Sequence, residues 1–275
     1  MNQNCIIVLN AYPNPEENKN SIESIRAIAK KWNSDFIEIN HLENKGRNIS
    51  SKLFFTRFKV IEKFSTYDKI LILDSDIIAN NQSPNIFNEL EDFELAGVLD
   101  GNPNRFNNDW AKETIIKNII NNFNFECISN TLQFDPNKYS QRYLNNGVIV
   151  CSPPKIKDKL ISFLSIIEQN SEILDALESN LGDQNLSNVF FSHYLNIKIL
   201  NDKWNWIMPD IAGKNGWVLD HFDPNTGELI DWESTSDYPP NWADNIFRGH
   251  MHPYIYHFCG TDNAKEICKT YDRWK

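Results

Sequence analysis

Two aspartates one residue apart close an apolar run: Leu71, Ile72 and Leu73 lead into Asp74, Ser75 and Asp76, with Ile77 and Ile78 beyond. In extended chain, residues i and i+2 point to the same side, so both carboxylates face one place. Such a pair repels itself unless a cation lies between its members. Hard oxygen ligands suit Mg²⁺ or Mn²⁺, ions that keep positions open for phosphate oxygens and water. The triplet equally suits a plain strand end whose aspartates cap the following turn, and in an acidic chain it arises by chance. The apolar run in front of it shifts the balance toward a metal.

A carboxylate pair at a strand end needs a sheet to hold it, and the flanking chain supplies strands and helices in alternation. Cys5 to Asn10 is a nearly continuous apolar run suited to a strand buried on both faces, and Asp35 to Ile39 is a second. Between them Ile22, Ile25, Ala29 and Trp32 recur at helical spacing, which makes an opening βαβ unit. Ser51 then marks a helix start before Phe54, Phe58, Ile61 and Phe64, and Lys69 to Leu73 follows as a strand. Phe93 to Leu99 and Tyr143 to Cys151 read as further strands. Ile115, Ile116, Ile119, Ile120 and Phe123 form a helix face, and two more helical patterns cover Leu160 to Ile167 and Asp183 to Tyr194. This order predicts an α/β fold with a mainly parallel sheet flanked by helices and ligands beyond the carboxyl ends of its strands. From Gly213 to Arg248 the chain turns rich in Gly, Pro, Asn, Asp and Trp, an irregular C-terminal elaboration of the same domain over about 204–250.

At 275 residues and 41% hydrophobic content, the chain can fill the core of a single domain spanning 1–275. Its 27 Lys and Arg against 37 Asp and Glu give a formal charge of −10, which excludes nucleic acid as a partner gathered by positive potential. A diphosphate still binds if a cation and a few basic side chains meet its charge. The five cysteines, Cys5, Cys127, Cys151, Cys259 and Cys268, are scattered and form neither a disulfide framework nor a zinc motif. No basic segment precedes the first apolar run and no stretch reaches the ~20 apolar residues of a bilayer span, so a cytoplasmic chain without an integral membrane segment is expected. Peripheral membrane contact needs only a surface patch and stays open.

Beyond the aspartate pair, several segments fall in the order of one family. Arg57 lies in Phe55-Thr-Arg57-Phe58 on the helix before the strand, and the next strand ends in Val98-Leu-Asp100. Tyr143-Leu-Asn145-Asn-Gly147-Val148, Gly182-Asp183-Gln184, Lys203-Trp204-Asn205 and His257-Phe-Cys-Gly260 follow. Together these blocks, over about residues 50–265, resemble the family 8 glycosyltransferases, the glycogenin and bacterial lipopolysaccharide galactosyl- and glucosyltransferase type. A haloacid-dehalogenase-type phosphatase also uses Asp-x-Asp after an apolar strand. It does so on its first strand, and here that strand ends in Val8, Leu9 and Asn10 without an acid.

The resemblance implies a GT-A-like single domain and a retaining transfer of a hexose from a UDP-sugar to a carbohydrate or glycolipid acceptor. It places Asp74, Asp76 and His257 on the metal, with Mn²⁺ preferred and Mg²⁺ as the alternative. Arg57, Asp74, Ser75, Asp100, Asn145, Gly260 and Lys265 would contact the nucleotide sugar, and Asp183 and Gln184 would serve catalysis. Two positions depart from the pattern. Asn263 stands where the family carries a phosphate-contacting lysine, leaving Lys265 as the nearest, and the first strand leads into Asn10-Ala-Tyr12 where an aspartate commonly meets the base. A metal-dependent phosphatase or nucleotidyltransferase, or a non-catalytic sugar-nucleotide-binding protein, stands as the alternative. Taken alone, Arg57 also suits a solvated helix surface and Asp183 a helix N-cap. His250 and His252 read as loop residues rather than a zinc site. Trp217, Trp232, Tyr238 and Trp242 mark the candidate acceptor side, although each ring also suits a small core beneath a long loop.

Overall fold

A computed structural model describes residues 3–10, 18–43, 45, 48–100, 131–132, 142–177, 182–207 and 254–257. Strand β1 (Asn4–Leu9) pairs in parallel with β2 (Asp35–Ile39) on one side and β3 (Lys69–Asp74) on the other. Helix α1 (Lys19–Lys31) joins the first two, the βαβ unit that the spacing predicts. The β1 side chains alternate between two cores, Ile7 and Leu9 toward one face and Ile6 and Val8 toward the other. That double burial is why the strand is apolar without a break. Helix α1 covers one face with Ile22, Ile25, Ile28 and Ala29, and Trp32 at its C-cap joins them.

The opposite face carries α2 (Ile49–Lys63), α3 (Pro153–Glu168), α4 (Ser171–Leu177) and α5 (Gly182–Tyr194). Helix α2 starts two residues before Ser51. Asn48 is its N-cap, accepting from Ser51 N at 2.9 Å, and the Ser51 hydroxyl accepts from Asn48 N in return, a capping box. Phe54 and Phe58 meet at 4.6 Å between centroids, and Phe58 meets Phe190 of α5 at 5.5 Å, both edge to face. Packed against both α3 and α5, α2 is buried over most of its circumference, including Arg57.

The main sheet has the order β2-β1-β3-β6-β5-β7, completed by β5 (Leu95–Leu99), β6 (Leu144–Cys151) and β7 (Ile197–Ile199). β6 is antiparallel to both β3 and β5, whereas β7 is parallel to β5. Five strands therefore run one way and β6 runs against them, so the sheet is mainly parallel as expected. The reversal has a consequence for chemistry: the carboxyl ends of β3 and β5 meet the amino end of β6. A second, small sheet joins β4 (Ile77–Ala79), β9 (Ile255–His257) and β8 (Trp206–Ile207). The helix expected around Ile115 to Phe123 and the stretch from Gly213 to Arg248 lie outside the described residues. No helix among the described residues is long and apolar enough to cross a membrane.

Candidate active site

The aspartate pair sits where β3 ends and β4 begins. β4 is antiparallel to β9 with Ile77 opposite His257, so the last residue of β9 arrives beside the pair. The ligating atoms of Asp74, Asp76 and His257 lie within 4.8 Å of one another. His257 Nε2 stands 3.3 Å from Asp76 Oδ1, and both residues are buried while Asp74 is half-buried. Gly147 of β6 lies flat against the imidazole: a Cβ there would come 2.1 Å from His257 Cε1. Glycine thus makes room for the ring. Burial pushes the Asp74 carboxyl up to about 6, Asp76 and Asp183 add to the rise, and Arg57 and His257 oppose it. Two crowded carboxylates and an imidazole form an oxygen-rich donor set that fits a divalent cation.

Arg57 is buried behind this cluster. Its Nη2 donates to Asp74 Oδ1 and its Nη1 to Asp183 Oδ2, each at 3.2 Å. It is not a solvated surface arginine. The forked guanidinium holds two carboxylates from distant parts of the chain at a fixed separation, which a lysine would hold only as a point charge. Asp183, in the first turn of α5, also accepts from Ser50 Oγ at 3.1 Å and donates its backbone N–H to that oxygen at 2.9 Å. Its carboxylate therefore does more than stabilise a helix start.

Beyond Asp183 the contacts are dipolar. Gln184 Nε2 donates to Asp100 Oδ2 at 2.7 Å and to Tyr143 OH at 3.1 Å, and Gln184 Oε1 accepts from Asn146 N at 3.2 Å. Tyr143 OH donates to Asn185 Oδ1 at 2.7 Å. Asn188, four residues along α5 from Gln184, accepts from Leu144 N at 2.6 Å and donates to Leu144 O at 2.8 Å. The β5–β6 register explains how these groups gather. Gly97 pairs with Ile149 but Leu99 pairs with Leu144, so β6 carries a bulge across Asn145, Asn146 and Gly147. Bulges re-aim side chains near functional sites. Here Asn145 Oδ1 receives both Gly147 N at 3.0 Å and Asn205 Nδ2 at 2.8 Å. The Asn146 amide is buried, with no hydrogen-bond partner for either polar atom among the described residues.

At the end of β1, Asn10 Nδ2 donates to Glu38 Oε1 at 3.0 Å while its Oδ1 accepts from Asn18 at 3.2 Å. Asn18 also donates to the buried Ser75 hydroxyl at 3.5 Å, which links Ser75 to the end of the first strand. Glu38 of β2 thus brings a carboxylate to the same strand ends, held by the Asn10 amide.

The model of the family described as glycosyl transferase family 8 matches residues 8–265. The chain belongs to glycosyl transferase family 8. Its shape is similar to that of a glycosyltransferase involved in the glycosylation of the major capsid of PBCV-1, with a TM-score of 0.52 and 14% identity over 98% of each chain. It is also similar to the WbbM bifunctional glycosyltransferase in its apo form, with a TM-score of 0.51 and 13% identity over 97% of this chain and 49% of that one. The chain thus spans about half the length of WbbM. At such low identity these likenesses speak for the fold, which is GT-A-like. No curated protein matches the chain in sequence.

For this family 8 glycosyltransferase, the described residues bring Arg57, Asp74, Ser75, Asp76, Asp100, Asn145, Asp183, Gln184 and His257 to the carboxyl edge of the sheet. Gly260 and Lys265 lie outside the described residues, as do His250, His252, Trp217, Trp232, Tyr238 and Trp242. Sequence reasoning assigned no role to Ser50, Tyr143, Asn188 or Asn205. For Asn188 a signal existed, since a residue four positions after Gln184 shares its helix face. Burial pushes the Cys5 thiol up to about 12 and raises that of Cys151 as well, so neither serves as a nucleophile.

Proposed function

We propose that this family 8 glycosyltransferase moves a hexose from a UDP-sugar to a carbohydrate or glycolipid acceptor, with retention of configuration and Mn²⁺ as its ion. The convergence of Asp74, Asp76 and His257 from β3, the β3–β4 turn and β9 is the observation that supports this most. Asp74, Asp76 and His257 would hold a divalent ion there, which when bound would supply Lewis-acid stabilisation of a departing diphosphate. Arg57, braced by Asp74 and Asp183, adds fixed positive charge at the wall of the same site. Ser75, Gly260 and Lys265 complete the donor contacts in this reading.

Asp100, Asn145 and Asp183 surround the transferred sugar with Gln184. The Gln184 amide is held by Asp100, Tyr143 and Asn146 N, so it keeps one orientation beside the reacting carbon. An amide does not serve as the carboxylate nucleophile of a double displacement, which favours attack by the acceptor hydroxyl from the face the leaving group vacates. The stretch over about 204–250 would form the acceptor side of a single domain spanning 1–275. The enzyme would work in the cytoplasm, where its buried free thiols stay reduced.

Calorimetric titration of UDP, with and without Mn²⁺, tests the donor site. Wild type should bind in a Mn²⁺-dependent manner, and Asp76→Ala should lose that dependence, with turnover falling at least about 10³-fold. Equal UDP binding by both proteins irrespective of metal would contradict the assignment.

A further inference from the structure

Asn205 is fully buried and follows the 3-10 turn Asp202–Trp204. That turn is anchored by Trp204, which packs against Trp32 and Tyr254 at 6.4 and 4.7 Å between ring centroids. It is also tied to the strand that carries His257. Tyr254 N donates to Lys203 O at 2.7 Å, and β8 pairs with β9 so that Ile207 lies opposite His257. The Asn205 carboxamide is thereby held between β9 and the bulge in β6.

Three hydrogen bonds run in series from that bulge to His257. Gly147 N donates to Asn145 Oδ1 at 3.0 Å, Asn205 Nδ2 donates to the same oxygen at 2.8 Å, and Asn205 Oδ1 meets His257 Nδ1 at 3.0 Å. A backbone N–H can only donate, so the Asn145 atom it meets must be the carbonyl oxygen. The Asn205 atom facing that oxygen must then be its NH₂, and the Asn205 atom facing the ring must be its carbonyl oxygen. A carbonyl oxygen can only accept. His257 therefore carries a proton on Nδ1, and in the neutral ring Nε2 offers a lone pair. With the ring neutral, that lone pair stands 3.3 Å from a carboxylate oxygen of Asp76, an arrangement that a cation held by the two residues would relieve.

We infer that Asn205 is a positioning residue that fixes the tautomer of His257, so that Nε2 is the metal-facing nitrogen. The bulge of β6, through the Gly147 amide and Asn145, dictates that choice. The inference rests on the metal reading of Asp74, Asp76 and His257 proposed above. It makes the strand that carries the donor-sugar contact Asn145 also responsible for the ligand state of the metal centre. Partners of this kind behind a ligating histidine typically contribute 10- to 100-fold in metal affinity.

Nitrogen-15 NMR of histidine-labelled, metal-free protein in mildly alkaline buffer reads the tautomer directly, with His257 assigned by the loss of its signals in His257→Asn. Wild type should show the neutral ring protonated at Nδ1. Asn205→Leu should lose that fixed state and weaken Mn²⁺ binding, titrated with UDP present, by about 10- to 100-fold. Asn205→Asp keeps an acceptor toward Nδ1 and should retain the Nδ1 proton. A wild-type ring protonated at Nε2 would overturn the inference, as would an Asn205→Leu protein with unchanged tautomer and Mn²⁺ affinity. Should Asn205→Leu fail to fold, the wild-type and Asn205→Asp spectra still decide. An Nε2 proton on a chain that binds Mn²⁺ contradicts the relay alone. An Nδ1 proton on a chain that binds no Mn²⁺ contradicts the proposed function and with it the metal half of the inference.

Discussion

Two polar regions meet where β3 and β5 end, and they are built in opposite ways. Around Gln184, amides, a phenol and a carboxylate are matched donor to acceptor: Asp100, Tyr143 and Asn146 N hold the glutamine at both ends. Around Asp76, a carboxylate oxygen and an imidazole nitrogen stand 3.3 Å apart with a second aspartate beside them, and Asp74 is driven up to about 6. The first region is finished by the protein itself, whereas the second has the donor set that a cation would complete. Arg57 joins the two, with one arm on Asp74 and the other on Asp183. In the proposed function, the matched region would hold the sugar in a fixed orientation while a cation beside it balances the charge of the phosphates.

Breaking the link should have the largest effect after loss of a metal ligand. Arg57→Met leaves Asp74 and Asp183 without their shared partner and should lower stability by about 3 kcal/mol, the low end for a broken buried pair because Asp74 still meets solvent. Denaturant unfolding of the metal-free protein checks this. A loss confined to turnover would mean that Arg57 serves the donor alone. Removing the centre of the dipolar region should separate the two halves differently: Gln184→Ala is expected to lower kcat about 100-fold while leaving Mn²⁺ affinity nearly unchanged. Steady-state kinetics beside a metal titration would show whether those effects divide as stated.

The smallest effect concerns protons. Burial pushes the Asp74 carboxyl from its ordinary value near 3.8 up to about 6 in the folded, metal-free chain. Between those values the folded chain holds a proton that the unfolded chain has released, so metal-free stability falls as pH rises through that window. A cation needs the ionised carboxylate, so Mn²⁺ affinity should rise with pH over the same range and level off above it, approaching about tenfold per pH unit below 6. Calorimetric titrations at several pH values would reveal a flat profile if Asp74 were not a ligand.

The alternation of strands and helices was legible because doubly buried strands are apolar throughout and covering helices show their stripe, as in Cys5 to Leu9 and Ile22 to Trp32. The direction of β6 was not, since an apolar run looks the same in either sense. The strands β4, β8 and β9 have only two or three residues each, too few for a period of two to show. Asp74 and Asp76 could be read from local spacing. Arg57 could not be told from a surface arginine, because the carboxylates that bury it come from positions 74 and 183. The Asn145–Asn205–His257 series was hidden for the same reason: three segments distant in sequence become neighbours only once the small sheet forms against β6.

The most direct test of the proposed metal-dependent, retaining site needs no knowledge of the acceptor. Wild type incubated with UDP-hexoses and Mn²⁺ would be followed by proton NMR for hexose released to water in the first minutes. Sugar appearing first as the α-anomer from an α-linked donor, and absent with chelator or in Asp76→Ala, is the predicted result. Release first as the β-anomer, or release that persists after Mn²⁺ is removed, would contradict the account.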